Sequence, residues 1–260
     1  MNDLPGNSAF SLSGKRALVV GGSRGIGKAI ALRFAAAGAD VLVNYVREQA
    51  AADEVVAEAA SRGLQLSACR ADVTSDKGRE ELLASVRERF SDLSVLVFAA
   101  ATGVHRPLEG FTGRHFDFTF GLNVRAFLLL VQQFLPQMTR DSSVIALSSE
   151  GAERAAHHYA LVGSSKAALE SLCRNMAVEL APRGIRVNVI SPGTVETDVW
   201  KVMPDGERRL QQARDRAPSG QITQPDEVAL AAQFLASDAS RGVRGHTLVV
   251  DGGARVQHSG

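Results

Sequence analysis

The sequence predicts an α/β fold: a single doubly wound parallel sheet of about seven strands with helices on both faces. Three observations carry this. Short runs rich in Val, Ile and Leu alternate with longer amphipathic stretches along the chain, the pattern of parallel βαβ units, whose right-handed crossovers put helices on both faces of one sheet. A glycine-rich turn joins the first such run to the first amphipathic stretch. The 260 residues are 45% hydrophobic, and no internal repeat or low-complexity linker divides them, so one sizeable core can form. Residues 1–260 are expected to make a single domain, with its core over about 12–253 and a mobile substrate loop over about 191–225.

The expected strands are Ala17–Val20, Val41–Asn44, Leu64–Cys69, Val95–Phe98, Ser143–Leu147, Arg186–Ile190 and Thr247–Val250. The expected helices are Ile26–Ala37, Glu48–Arg62, Lys77–Phe90, one long helix within Gly113–Met138, Ser164–Leu180 and Asp226–Ala236. Residues 191–225 show no clear strand, and a long loop in a compact domain is usually functional.

Composition narrows the function classes. A net charge of +1 argues against a dedicated nucleic-acid or membrane surface. Cys69 and Cys173 form no C-x-x-C pair and read as buried free thiols of a reducing compartment. Residues 1–13 lack the charged and apolar regions of a signal peptide, and the longest apolar runs fall short of the roughly 20 residues of a membrane span. A cytoplasmic protein without a metal site is expected.

The turn reads Val20-Gly21-Gly22-Ser23-Arg24-Gly25-Ile26-Gly27. Between a strand and a helix, such glycines permit a tight turn at Gly21, close approach of backbone to a pyrophosphate at Gly25 and close helix packing at Gly27, while the helix N-terminus faces the phosphates. This is a Rossmann-like cofactor end, read against a flexible glycine loop as the bland alternative. The second strand ends Val43-Asn44-Tyr45-Val46-Arg47, with no carboxylate before Glu48. A site for NAD usually has an acid there. Arg24 and Arg47 instead suit a 2′-phosphate, so NADPH is the expected cofactor.

The G-x-x-x-G-x-G spacing resembles the short-chain dehydrogenase/reductase family. So do Asp72-Val73, Asn123, Lys166, Ser191-Pro192-Gly193 and Val250-Asp251-Gly252-Gly253, and the resemblance covers about residues 12–253. Two landmarks differ: Val20 stands where the family usually has Thr, and Phe98-Ala99-Ala100-Ala101 where it usually has Asn-Asn-Ala-Gly. The resemblance implies that Asp72 and Val73 lie at the adenine, Lys166 at the nicotinamide ribose, and the backbone near Val195 at the carboxamide. Ser23, Ile26, Tyr45, Ala99, Ala100, Ala101, Pro192, Gly193 and Thr197 complete the expected cofactor set.

The family usually carries Tyr-x-x-x-Lys. Here Val162 lies four residues before Lys166, and the nearest phenol is Tyr159, giving Tyr-x6-Lys. The chain has only two tyrosines, so a phenol-based site must use Tyr159. Seven residues are nearly two helical turns, so Tyr159 and Lys166 share a helix face, unless Gly163 marks a looser entry and Tyr159 reaches the site from the preceding loop. This spacing, with Ala100–Pro107, Val162–Glu170 and Arg244–Thr247, resembles the type III enoyl-acyl-carrier-protein reductases, while Ser191-Pro192-Gly193 keeps the ordinary family form. The branch implies hydride delivery from NADPH to the β-carbon of an α,β-unsaturated thioester, with Tyr159 donating a hydrogen bond to the enolate oxygen. The lysine is hard to assign to composition, since the chain has five lysines against twenty-four arginines. Ser149 matches the family's catalytic serine by position, with a local capping role equally open. Asn123 is a buried polar group that needs a partner, and His157 and His158 are second-choice acids.

The segment from Thr194 to Gly220 is expected to cover the acyl group. It offers Val195, Val199, Trp200, Val202 and Met203, with Trp200 lining the pocket or packing a hinge. Arg208, Arg209, Arg214 and Arg216 would meet a coenzyme A phosphate or an acidic carrier protein, unless Glu207 and Asp215 make this a salt-bridged solvated helix. Three functions follow: an NADPH-dependent enoyl-thioester reductase, a ketoreductase on the same fold, and a cofactor-binding scaffold without turnover, the last raised by Val162. The partners expected are a small acyl thioester and, from the family, three further copies of the chain in a homotetramer.

Overall fold

The computed structural model describes residues 7–198, 200 and 206–256. Its strands are β1 (Arg16–Val20), β2 (Asp40–Tyr45), β3 (Leu66–Arg70), β4 (Val95–Phe98), β5 (Ser143–Leu147), β6 (Arg186–Pro192) and β7 (Thr247–Val250). All pair in parallel, in the order β3-β2-β1-β4-β5-β6-β7. The order reverses between β1 and β4, which opens a crevice at the carboxyl ends of those two strands.

Alternate side chains leave opposite faces of a strand. Ala17, Val19, Val41, Val43, Val95, Val97 and Ile145 therefore join one buried cluster. It is closed by α1 (Gly25–Ala36), α2 (Gln49–Ser61) and the helix Pro225–Ala236. Leu18, Val20, Leu42, Leu96, Phe98, Val144 and Ala146 join the other, under α3 (Asp76–Arg89), α5 (Phe127–Phe134) and α6 (Ala160–Leu180). Burial on both faces is why these strands are continuous apolar runs. It also fixes register, because a one-residue slip would exchange the two clusters. Each fully buried Leu, Val or Phe contributes roughly 1.5–3 kcal/mol, against about 0–1 kcal/mol for an exposed ion pair such as Lys15–Asp238. The two clusters dominate.

Several boundaries differ from the sequence reading. The long helix is α4 (Gly113–Phe120), a π-helical segment Gly121–Ala126, and α5. Such a bulge admits an extra residue into the turn, and here it carries Asn123. Gly113–Gln137 contains an 18-residue window of mean hydropathy 1.3 and so matches a membrane span by length and composition alone, which the run-by-run reading missed; it packs into the core through Phe127, Leu130, Val131 and Phe134. α6 starts at Ala160 rather than Ser164, and Gly163 N–H donates to the Tyr159 carbonyl at 2.8 Å inside its first turn. Gly163 is thus no helix break. A Cβ there would lie 2.5 Å from the Gly151 carbonyl oxygen. β6 runs on to Pro192, paired with Val250 of β7 after β5 has ended at Leu147. The 191–225 segment contains a bridge between Val195 and Thr223 and a helix, α7 (Gly206–Arg216). Pro225 opens the last helix, α8 (Pro225–Ala236), at a position where its missing N–H costs nothing.

Candidate active site

The glycine turn lies at the crevice. Gly21 has φ +78°, and a Cβ on it would lie 2.7 Å from Ala100 N, so the turn after β1 and the Ala99–Ala101 strand end touch through backbone. A Cβ on Gly27 would lie 2.1 Å from the Gly21 carbonyl oxygen, which is the close helix–strand packing expected. Gly25 has φ +53° and faces Thr197, 3.6 Å from where a Cβ would sit. Ser23 is buried and Ile26 half-buried beside it. Ala99 N–H donates to the Val20 carbonyl at 2.9 Å, so backbone ties the fourth strand where the family's asparagine is missing.

Around this turn the expected residues divide. Arg24 and Arg47 are exposed, and neither guanidinium has a partner among the described residues. Tyr45 is buried, with its hydroxyl given to Gln49, so it offers a packed wall. Asp72 is exposed; its Oδ1 accepts from Thr74 N at 3.0 Å and Thr74 Oγ1 at 2.7 Å, while Val73 is buried. Asn44 does more than its place in a strand suggested. Its carbonyl accepts from Gly21 and Gly22 N–H at 3.0 and 3.1 Å, and its side chain donates to the Ala71 carbonyl at 3.0 Å. A polar residue inside an apolar strand was the signal. The arrangement fits a dinucleotide: backbone without Cβ atoms where phosphates would approach, a helix N-terminus, and two exposed arginines, Arg24 in the glycine turn and Arg47 after β2.

The reaction end is built between β5 and α6. Lys166 is 4% exposed, and its Nζ donates to the Leu147 carbonyl at 2.7 Å. Burial lowers its ammonium to about 8, while Cys173 and Glu170 pull upward. Glu170, one turn further on, is buried, and its Oε1 accepts from Ser148 Oγ at 2.5 Å. Glu170 was not singled out from sequence; its four-residue spacing from Lys166 was the available signal. Burial also raises the Cys173 thiol, which suits an inert packed cysteine.

Tyr159 immediately precedes α6, so it reaches the site from the helix entry and not from a shared helix face. Its hydroxyl lies 3.2 Å from Ser149 Oγ. The ring occupies a slot that two glycines leave open: a Cβ on Gly151 would fall 2.4 Å from Cε1, and one on Gly163 would fall 3.5 Å from Cδ1. Burial raises the phenol pKa above its ordinary value, the Ser149 hydrogen bond lowers it, and the Glu150 charge raises it. Val162 is buried against Gly103, where a Cβ would lie 2.1 Å from Val162 Cγ2. The loop after β4 thus closes over the position where the family's tyrosine would project. His105, on the same loop, packs tilted against Tyr159, with ring centroids 5.3 Å apart and planes at 51°. Burial, then Arg209, lowers its pKa. Asn123 accepts from Thr102 N at 3.0 Å and donates to the Thr102 carbonyl and Ser165 Oγ, each at 2.9 Å, so its partners are protein groups. His157 and His158 are exposed, the latter with φ +61°.

On the substrate side, Trp200 is half-buried with Nε1 donating to the Val195 carbonyl at 2.8 Å. Val199, Val202 and Met203 lie outside the described residues. Arg214 pairs with Glu196 at 3.1 Å, and Gln211 donates to Asp215 at 2.8 Å, so α7 is partly engaged within the protein. Pro192 and Gly193 end β6, where Gly193 N–H donates to the Val250 carbonyl at 3.0 Å. Among the described residues no group of three or more His, Cys, Asp or Glu is placed to hold a metal.

Comparison with known proteins agrees with this geometry. Residues 20–255 match the family described as enoyl-(acyl carrier protein) reductase. The chain is 36% identical over 241 residues, 92% of its length and 86% of the relative's, to the 1-cyclohexenylcarbonyl-CoA reductase of Streptomyces collinus. A short-chain dehydrogenase from Burkholderia cenocepacia in complex with NADP superposes with TM-score 0.87 at 35% identity, covering 94% of this chain and 99% of the other. A 7α-hydroxysteroid dehydrogenase complexed with NADH and 7-oxo glycochenodeoxycholic acid superposes with TM-score 0.88 at 35% identity, covering 95% and 96%.

Proposed function

Because the chain belongs to the short-chain dehydrogenase/reductase family of oxidoreductases, we propose that it is an NADPH-dependent reductase of the C=C bond of an α,β-unsaturated acyl thioester, carried on coenzyme A or an acyl carrier protein. The observation that carries this reading is the displaced phenol. Tyr159 is hydrogen-bonded to Ser149 and stands seven residues before the buried Lys166, while Val162 is packed under Gly103 in the ordinary tyrosine position. The likeness to a CoA-thioester reductase supports it.

The glycine turn, Ser23, Ile26 and Thr197 would hold the pyrophosphate, Arg24 and Arg47 the 2′-phosphate, Asp72 and Val73 the adenine, Lys166 the ribose, and Pro192, Gly193 and Val195 the carboxamide side. When bound, NADPH supplies the hydride. The residues of the chain do the rest. Tyr159 keeps its proton at neutral pH, as an ordinary phenol does, and burial raises its pKa further. It can therefore donate a hydrogen bond to the thioester oxygen as negative charge develops there. Ser149 and the Gly151–Gly163 slot orient the phenol, which removes the entropy of placing it. Lys166 is held in place by its hydrogen bond to the Leu147 carbonyl, so its ammonium is positioned for the ribose.

A ketoreductase is the second reading, favoured by one observation: the Ser149–Tyr159 hydrogen bond suits a serine and tyrosine acting together on a carbonyl oxygen, with the phenol giving up its proton. NADPH oxidation followed at 340 nm with crotonyl-CoA and acetoacetyl-CoA side by side separates them. Turnover of crotonyl-CoA is expected. Turnover of acetoacetyl-CoA alone would overturn the enoyl reading, and NADPH binding without turnover of either would point to the scaffold. A dissociation constant for NADH as tight as that for NADPH would remove the 2′-phosphate assignment.

A further inference from the structure

The segment after β7 folds back over the end of β6 and the loop that follows β5, and Arg255 is its hub. The Arg255 and Asp251 side chains are only 8% and 6% exposed, with Nε and Oδ2 3.3 Å apart. Arg255 Nη2 donates to Ser191 Oγ at 2.7 Å, to the Ser191 carbonyl at 3.0 Å and to the Pro192 carbonyl at 3.4 Å. Asp251 is held in turn by backbone: Oδ1 accepts from Gly253 N at 2.9 Å and Oδ2 from Arg255 N at 3.1 Å. Facing outward, Arg255 Nη1 lies 3.5 Å from Glu153 Oε2, and the Arg154 guanidinium donates to the Arg255 carbonyl.

A guanidinium this buried requires a countercharge and acceptors for its donors. Asp251 is the countercharge, and the end of β6 supplies a hydroxyl and two carbonyls. Nη2 faces the end of β6, Nη1 faces Glu153 and Nε faces Asp251, so the planar fork holds three groups in one fixed relation, which a lysine ammonium cannot do. The two sides it joins are functionally distinct. Ser191 and Pro192 lead directly into Gly193, whose Cβ position would lie 2.8 Å from Asp251 Cβ. Glu153 and Arg154 belong to the loop between Ser149 and Tyr159.

We infer that Asp251 and Arg255 form an ionic clasp that sets the separation between the Ser149–Tyr159 loop and the Pro192–Gly193 turn, and that both are positioning residues for hydride transfer. This rests on the reading of the pocket as a reductase site, but not on whether C=C or C=O is reduced. A displacement of about 1 Å between such walls can cost on the order of a hundredfold in rate, so a tie remote from the chemistry matters.

The double variant Glu153→Ala with Arg154→Ala tests this without touching the buried pair, since both residues are exposed. Amide hydrogen exchange of peptides covering 149–158 is expected to rise about tenfold or more over wild type, reporting local opening. With whichever thioester the wild type reduces, kcat is expected to fall by about fivefold while the NADPH dissociation constant stays within about twofold. The isotope effect on kcat with NADPH deuterated at the transferred position is expected to rise. Arg255→Met should show the same pattern more strongly, and Arg255→Lys should recover only part of it. Unchanged exchange in the double variant overturns the clasp. Raised exchange with unchanged kcat and isotope effect overturns the positioning role. If the wild type reduces neither thioester, the reductase reading fails by itself, and the exchange measurement still decides the clasp.

Discussion

Tyr159 shows how much depends on single side chains. Tyr159→Phe removes one oxyanion donor and leaves the ring in its slot, so kcat should fall more than about tenfold with NADPH affinity unchanged; a smaller loss in stopped-flow turnover would take the phenol out of the mechanism. The neighbours of this phenol set its ionisation. Glu150→Gln should lower the Tyr159 pKa and Ser149→Ala should raise it, because the first removes a repelling charge and the second a stabilising hydrogen bond. Absorbance titration at 295 nm in a Tyr45→Phe background reads this residue alone. Lys166 works in the opposite sense on stability. Its folded pKa of about 8 lies below the ordinary lysine value of 10.5, so the folded state resists the charged form. That penalty is complete below pH 8 and fades as pH rises towards 10.5. Lys166→Met removes that penalty together with the hydrogen bond to the Leu147 carbonyl, so it should stabilise the cofactor-free protein near pH 7 by on the order of 1 kcal/mol while abolishing turnover. Urea denaturation at pH 7 showing destabilisation instead would contradict the assigned burial cost.

At the scale of elements, the loop after β4 and the start of α6 are shaped to each other. Gly103→Ala would drive a methyl into Val162, a stiff β-branched side chain buried in the first turn. We expect it to lower the melting temperature and to impair turnover, and Val162→Ala in the same chain to restore most of both. Failure of that rescue in calorimetry and assay would mean the contact is not what shapes the loop. The same pair explains why part of the site was hidden. Tyr159, Lys166 and Ser149 were legible as residue types at a family spacing. The glycine slot for the phenol was not, because Gly151 and Gly163 come from different elements and their role exists only once the loop after β5 folds against α6. The π-helical turn at Asn123 was likewise unreadable, since its partners Thr102 and Ser165 lie far away in sequence.

At the scale of the molecule, exposed apolar side chains on the helices next to the site bear on assembly. Phe116 and Phe118 of α4 and Val178 of α6 are 48%, 55% and 75% exposed, the two phenylalanines on different sides of their helix. A homotetramer of 27.6 kDa chains is the assembly expected, and light scattering after gel filtration measures it directly. Phe116→Glu with Phe118→Glu should shift the mass to a smaller species. A monomeric wild type would overturn the tetramer expectation.

The sequence by itself determined the layered α/β architecture, the place of every strand and the glycine turn, because continuous apolar runs, helical stretches and a turn of fixed spacing are local properties. It also determined that any phenol at the reaction end is Tyr159, since the chain offers no other there. Only the tertiary structure decided how that phenol is held, what encloses Lys166, and that the chain's far end ties the pocket together through Asp251 and Arg255. Those depend on contacts between residues distant in sequence, where a missing Cβ or a buried countercharge acquires meaning only from its neighbour.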